Sequence, residues 1–159
     1  MTTEITKVEA EINDIMSNNK EIKINYDLIL SITGVGPIIA LDTIISTNNF
    51  TLFKNWRQYA SYCGCAPFEN SSGTKTTNKR ISRLASKQLK GNLTSGARAA
   101  VIHDQEMVIY LERKLAEGKS KKSIINVIRC KLISRMFSVT RNKMPFQKNY
   151  THSLVIKTT

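Results

Sequence analysis

Between residues 27 and 46 an apolar helical segment is interrupted by Gly34-Val35-Gly36 and resumes at Pro37. Glycine allows the tight turn, and proline fits the first turn of a helix, where a missing N–H costs nothing. The segment therefore predicts two helices joined by a short hairpin. The residues of the second helix that we expect to pack in the core are Ile38, Ile39, Leu41, Ile44 and Ile45.

The hairpin resembles a helix-hairpin-helix, a motif that binds DNA without sequence preference. In that motif the glycines bring backbone amides close to a phosphate, and the second helix adds its unpaired N–H groups and positive dipole end. Gly34, Val35 and Gly36 are therefore candidate DNA-binding residues. The alternative is a hairpin that packs wholly in the core, and both interpretations stay open.

Helical spacing of apolar residues continues through most of the chain, which predicts an all-α fold. Residues 1–24 form an amphipathic segment with Ile5, Val8, Ile12 and Ile15 or Met16 on one narrow stripe. Such a stripe suits either a coiled coil that makes a homo-oligomer or a helix that caps the core. Residues 25–148 are expected to form one helical domain, including a run over 92–116. Residues 149–159 are expected to be a disordered tail.

A second group of apolar residues lies between residues 50 and 66. Phe53, Trp56, Tyr59 and Ala60 recur at helical spacing, which favours a core position over a platform for stacking bases. Cys63 and Cys65 are one residue apart, whereas structural zinc sites space their cysteines by two to four. We therefore expect packed thiols and no metal site in this chain.

Charge indicates the class of partner. The chain has 24 Lys and Arg against 12 Asp and Glu, a net charge of +12, and residues 119–148 contain no acid. This balance predicts binding to nucleic acid. The sequence has no apolar run long enough to span a membrane and no signal-peptide pattern, so we expect a cytoplasmic protein. The candidate DNA-binding residues in the acid-free stretch are Lys121, Lys122, Arg129 and Lys131, and Arg135 is expected on the same exposed face.

Residues 71–73, Ser71-Ser72-Gly73, place two hydroxyl groups beside a glycine at the start of a basic stretch. A serine on a tight turn could attack a phosphate, and nearby cations could stabilise the charge that develops. The other interpretation is an ordinary surface turn. The cations that follow this turn and could bind DNA are Lys75, Lys79, Arg80, Arg83, Lys87 and Lys90.

An ordered series of motifs resembles the C-terminal domain of the IS110/IS116/IS902 transposases. The series covers about residues 24–148, and the sequence departs from the family pattern at Arg83-Leu84-Ala85 and Lys90-Gly91. Gly91 is expected to bend or delay its helix. The motifs are Ile32-Thr33-Gly34-Val35-Gly36-Pro37, Tyr59-Ala60-Ser61-Tyr62-Cys63-Gly64-Cys65-Ala66-Pro67, Ser71-Ser72-Gly73, Arg80-Ile81-Ser82-Arg83, Gly118-Lys119 and Arg129-Cys130-Lys131-Leu132.

The resemblance implies a catalytic serine, which falls on Ser72 with Ser71 as the near alternative. It also implies a RuvC-like domain that holds Mg²⁺ on acidic residues, and a structured guide RNA. The acids of this chain are scattered on predicted helices, so we expect that domain to be missing and the isolated chain to be inactive. A noncatalytic helix-hairpin-helix module, in which residues 71–73 are only a loop, is the alternative.

Overall fold

The computed structural model describes residues 2–66 and 87–148. These ranges contain helices and turns and no strand, which confirms the all-α prediction. None of the helices is both long enough and apolar enough to cross a lipid bilayer. The residues expected to form a disordered tail, 149–159, lie outside the described ranges. The helices are α1 Thr2–Asn18, α2 Lys20–Leu30, α3 Pro37–Thr47, α4 Trp56–Tyr62, α5 Lys87–His103, α6 Gln105–Ala116 and α7 Lys121–Asn142.

Polar side chains define where four of the helices begin. Asn19 caps α2, Asn55 caps α4, Asp104 caps α6 and Ser120 caps α7, each by accepting a hydrogen bond from a backbone N–H of the first turn. Such caps satisfy donors that have no partner inside the helix. Helix α3 differs, because Gly36 precedes it and offers no side chain to these N–H groups.

Helix α7 lies at the centre of the molecule and packs against α2, α4, α5 and α6. Ile128, Leu132, Ile133 and Met136 on this helix are fully buried. Full burial of one such side chain contributes about 1.5–3 kcal/mol. Val127 lies on the outer side of the same helix and is 38% exposed.

The prediction that Ile38 and Ile45 pack in the core is wrong, since they are 67% and 75% exposed. Helix α3 instead buries a face that includes two threonines, Thr43 and Thr47. Their hydroxyl groups donate to the carbonyl oxygens of Ile39 and Thr43, at 2.7 Å and 2.6 Å, respectively. Because these bonds satisfy the hydroxyls, the threonines can occupy the core face and the isoleucines can lie outside.

The predicted helical run over residues 92–116 is two helices, not one. Helix α5 ends at His103, and Asp104 takes an extended backbone conformation and caps α6. Asp104 also forms an ion pair with Arg135 of α7, with a distance of 2.6 Å between Nη1 and Oδ2. Gly91 lies inside α5, and a Cβ there would meet no atom within 4 Å.

The N-terminal helix α1 packs against α2 and buries Met16. Residues 1–24 are not one helix, since α1 ends at Asn18 and Asn19 caps the start of α2. Ile5 and Val8 of the apolar stripe are more than half exposed. Capping of the core by α1 is therefore limited to its C-terminal end, and self-association through the stripe stays a prediction.

The predicted core position is confirmed for Tyr59 and Ala60, whereas Phe53 and Trp56 are only half-buried against the core. Tyr59 and Cys63 are fully buried, and Phe53 packs on Tyr59 with 5.3 Å between the ring centroids. Burial raises the pKa of the Cys63 thiol to about 12 and that of Cys130 to about 11. These thiols are therefore protonated at neutral pH and behave as packing groups.

Candidate nucleic-acid interface

The hairpin between α2 and α3 is anchored to α5 by two glycines. Gly34 has a φ of +94°, and a Cβ there would lie 2.6 Å from the carbonyl oxygen of Gly96. A Cβ on Gly96 would lie 2.5 Å from the carbonyl oxygen of Gly34. Backbone therefore contacts backbone at this point, and Gly34 faces α5.

Among the three hairpin residues predicted to bind DNA, Gly36 alone has its Cα hydrogens facing open space. A Cβ on Gly36 would meet no atom within 4 Å, whereas Val35 is only 7% exposed. Pro37 and Ile38 beside it are exposed. The first turn of α3 therefore presents its N-terminus at the surface, where a positive dipole end can attract an anion. DNA contact at this turn stays a prediction.

The lysines that are predicted to bind DNA and lie in the described ranges differ in exposure and in pairing. Lys87 at the start of α5, and Lys121 and Lys122 at the start of α7, are exposed, while Lys90 is half-buried. Lys131 is engaged in the protein, since its Nζ lies 3.5 Å from Glu106 Oε1 and 4.8 Å from the ring centre of Tyr110. The exposed members of this set thus lie at helix starts.

The exposure predicted for Arg129 is wrong. Its side chain lies in the core region at 7% exposure, and its Nη1 and Nη2 donate to Thr94 Oγ1 at 3.1 Å and Asn126 Oδ1 at 2.6 Å. The sequence carries a signal for this position, since residue 129 is four residues after Ile125 and three before Leu132. That spacing places Arg129 on the buried face of α7.

Arg135, expected on the same exposed face, is also engaged inside the molecule. Its side chain is 11% exposed and its Nη1 and Nη2 pair with Asp104 Oδ2 and Glu106 Oε2, both at 2.6 Å. Two of the arginines that we predicted to meet phosphate are therefore used to join α7 to α5 and α6.

Arg129 lies beside the point where the chain leaves the described ranges. Its partner Asn126 donates from Nδ2 to the carbonyl oxygen of Cys65 at 2.8 Å, one residue before Ala66. Within residues 2–66 and 87–148, the Nε of Arg129 is buried without a hydrogen-bond partner, and no carboxylate pairs with the guanidinium. A buried positive charge thus lies near Ala66, the last described residue before the segment 67–86.

The remaining predicted site residues belong to that segment and lie outside the described ranges. The candidate nucleophiles Ser71 and Ser72 are among them, so their positions are not assigned. The predicted DNA-binding residues in the same segment are Lys75, Lys79, Arg80 and Arg83.

The acids of the described ranges do not supply a metal site. No three His, Cys, Asp or Glu side chains there converge as a metal ion would require. Asp104 and Glu106 lie close together but are paired with Arg135. No step that involves a metal is assigned to these residues.

Comparison with known proteins places the hairpin and the serine segment inside one family match. Residues 26–112 match the Transposase IS116/IS110/IS902 family. The chain is 27% identical over 135 residues to the 43.6 kDa protein of insertion element IS110 from Streptomyces coelicolor, covering 85% of this chain and 32% of that protein. It is also 27% identical over 149 residues to a pilin gene-inverting protein from Moraxella bovis, covering 91% and 45%.

A transposase for insertion sequence element IS1111A from Coxiella burnetii is 33% identical over 104 residues, covering 64% of this chain and 29% of that transposase. The chain thus spans about a third to just under half the length of these relatives. The match over residues 26–112 includes the C-terminal part of α2, all of α3, α4 and α5 and most of α6, together with Ser71 and Ser72. The chain therefore belongs to the IS116/IS110/IS902 transposase family.

Proposed function

We propose that this chain is the part of a transposase that binds DNA and supplies the serine nucleophile for strand cleavage and rejoining. The observation that carries the proposal is the family match over residues 26–112, which contains Ser71-Ser72-Gly73. Ser72, which directly precedes Gly73, is the preferred nucleophile, and Ser71 is the alternative. Relatives named as a transposase and as a pilin gene-inverting protein support DNA as the substrate.

The chemistry of a serine suits strand exchange. The Ser72 oxygen attacks the scissile phosphorus, a bond to one deoxyribose oxygen breaks, and the serine proton goes to that leaving oxygen. The phosphoserine linkage keeps the bond energy of the phosphodiester, so a strand hydroxyl can reverse the step and rejoin DNA without ATP. A serine hydroxyl is weakly nucleophilic at neutral pH and needs a partner that activates it.

Cations next to the two ends of the segment 67–86 support the proposal, because cations stabilise the negative charge that develops on a phosphate under attack. The segment 67–86 begins next to the buried guanidinium of Arg129 and ends at Lys87, with Lys90 one turn further along α5. Arg129 is held in place and shielded from water, and such a cation stabilises a developing anion more strongly than a solvated one does. The catalytic metal would come from a RuvC-like domain outside this chain, and a structured guide RNA is a further proposed partner.

Covalent trapping tests the nucleophile. The chain is joined to a RuvC-like domain of the family and given a nicked DNA substrate whose cleaved end diffuses away, so that the protein–DNA adduct accumulates. We expect Ser72→Ala to abolish the adduct and Ser71→Ala, the matched control, to retain it. Loss with Ser71→Ala alone would move the role to Ser71, and an adduct in the double variant would refute a serine nucleophile in this segment.

A second candidate function is noncatalytic binding of duplex phosphates by the N-terminus of α3. The exposed first turn and the absence of a side-chain cap at Gly36 favour it. Gly36 has a φ of −99°, which any residue can adopt, so Gly36→Asp should change stability by only a few tenths of a kcal/mol. Because the new carboxylate would occupy the anion position, duplex affinity should fall by about 1 kcal/mol. Unchanged affinity in a fluorescence anisotropy titration would exclude this role.

A further inference from the structure

A cleft at the opposite end of α3 from the hairpin has the features of a binding site. It has a volume of about 320 Å³ and lies between α2, the turn after α3, and the C-terminal end of α7. This volume lies within the range of about 300–1,000 Å³ that is typical of small-ligand sites. Helix α3 has 11 residues, so the cleft is roughly 16 Å from Gly36.

The rim of the cleft is positively charged. Lys54, Arg141 and Lys143 line it together with a single acid, Glu21. Lys143 Nζ lies 4.0 Å from Glu21 Oε1, whose side chain is 71% exposed. Lys54 and Arg141 are exposed, and within the described ranges their head groups form no ion pair. Two cations therefore remain to bind an anion.

Amide groups lie deeper in the cleft. Asn25 is 2% exposed, and its Nδ2 donates to Asn49 Oδ1 at 2.8 Å while its Oδ1 accepts from Lys143 Nζ at 2.9 Å. This chain of bonds occupies the oxygen of Asn49. The Nδ2 of Asn49 has no acceptor among the residues that the structure describes, so it can donate to the edge of a ligand.

Aromatic rings form one wall. Phe50 and Phe53 line the cleft and are half-buried, and Phe50 packs edge-on against Phe137 with 4.9 Å between ring centroids. An aromatic ring that is held by the core but open on one side is a platform on which a nucleobase can stack.

The backbone that presents this wall is strained. Asn48, Asn49 and Phe50 have φ values of 46°, 54° and 66°, three consecutive left-handed residues without a glycine. Asparagine tolerates this conformation, whereas a left-handed phenylalanine is strained. Hydrogen bonds to the end of α3 hold the turn, since Asn49 N donates to Ile44 O and Phe50 N to Thr47 Oγ1. Strain of this kind concentrates at functional sites.

We propose that this cleft binds one unpaired nucleotide of a nucleic-acid strand. Lys54 and Arg141 bind its phosphate, Asn49 donates to its base, and Phe50 and Phe53 stack on it. An acidic peptide would use the cations but would leave the aromatic wall and the amide without a role. The site goes beyond the duplex-binding surface proposed above, because it is at the other end of α3 and is selective for an unpaired base.

The test measures binding by fluorescence anisotropy with four labelled probes: eight-nucleotide oligothymidine, the same strand with abasic sites, oligouridine of equal length, and a fully paired duplex. We expect the base-containing strands to bind about tenfold more tightly than the abasic strand. The double variant Lys54→Gln/Arg141→Gln should lose about tenfold for these strands and keep its duplex affinity within twofold of the control. Oligothymidine and oligouridine distinguish a DNA strand from an RNA strand as the natural ligand.

Lys7→Gln/Lys119→Gln is the matched control. Both lysines are exposed and lie outside the cleft, and the two substitutions remove the same charge as Lys54→Gln/Arg141→Gln. Equal losses in the two double variants, or equal affinity for the abasic and base-containing strands, would refute the cleft. Tight binding of an oligoglutamate peptide that displaces oligothymidine would also refute the proposal, because a site selective for a base would not accept a peptide in its place. If the unmodified chain binds the base-containing strands but not the duplex, the result counts against the hairpin surface and not against the cleft.

Discussion

At the scale of single residues, Gly34 and Gly36 have different roles although they are two positions apart in one motif. Gly34 has a positive φ and contacts the backbone of α5, whereas Gly36 has an ordinary φ and open space around it. The sequence pattern predicts a phosphate-binding role for both glycines. The structure assigns Gly34 to packing, and only Gly36 is left with its Cα facing the surface.

Replacement of Gly34 by alanine tests this division. The new methyl group would clash with Gly96 O and Ala100 Cβ, and the residue would have to adopt a left-handed backbone. We expect Gly34→Ala to lower the free energy of unfolding by roughly 2–4 kcal/mol, measured by urea denaturation. Gly36→Ala is the control and should cost less than about 1 kcal/mol. Similar costs for the two variants would contradict the packing role of Gly34.

At the scale of helices, the break between α5 and α6 depends on one buried carboxylate. Asp104 caps α6 through Glu106 N at 3.0 Å and pairs with Arg135, and the two side chains are only 5% and 11% exposed. One residue therefore ends a helical run, starts the next helix and joins both to α7. Helical spacing alone does not predict this role, because the ion pair depends on α7 lying beside Asp104.

Removal of the Asp104 carboxylate is expected to be costly. Asp104→Ala leaves the buried Arg135 guanidinium with the exposed Glu106 as its one carboxylate partner among the described residues, and it removes a helix cap. We expect a loss of about 3–5 kcal/mol in the free energy of unfolding. Asp27→Ala breaks an exposed ion pair with Lys23 and should cost under about 1 kcal/mol. If the two variants unfold at similar urea concentrations, the ion pair with Arg135 does not stabilise the fold.

At the scale of the whole molecule, the net charge of +12 is divided between structural and free cations. Arg129, Lys131 and Arg135 are engaged with side chains of the protein, whereas Lys121 and Lys122 are exposed at the start of α7. The basic surface available to DNA is thus smaller than the sequence indicates. Among the predicted DNA-binding residues that the structure describes, the exposed ones lie at the N-terminal ends of α5 and α7.

Salt dependence measures this surface. Binding to a duplex should weaken steeply with salt, because each phosphate contact releases condensed counterions. Lys122→Gln should reduce the slope of log K against log salt by about 0.9, whereas Lys7→Gln on the acidic helix α1 should leave the slope unchanged. Fluorescence anisotropy titrations of the wild-type chain and of both variants at several salt concentrations provide the three slopes. Equal slopes for all three proteins would exclude Lys122 from the interface.

Local patterns in the sequence were sufficient to predict helices, turns and the class of fold. Apolar residues at spacings of three and four predict the buried faces of α5 and α7, and Gly-Val-Gly-Pro predicts the turn before α3. The ordered motifs predicted the family, because they span several elements in a set order. Each of these patterns consists of residues near one another in the chain, so the patterns and their order can be read without the tertiary structure.

Only the tertiary structure decided which partners the buried polar residues have and which apolar residues are exposed. Thr43 and Thr47 displace Ile38 and Ile45 from the core because their hydroxyls bond within α3 and its inner face meets other helices. Arg129 and Arg135 are buried because partners more than 25 residues away receive their hydrogen bonds. Such contacts depend on how helices pack, which no local pattern encodes. Sequence therefore determined the helices and the family, and packing determined which charges remain free to bind.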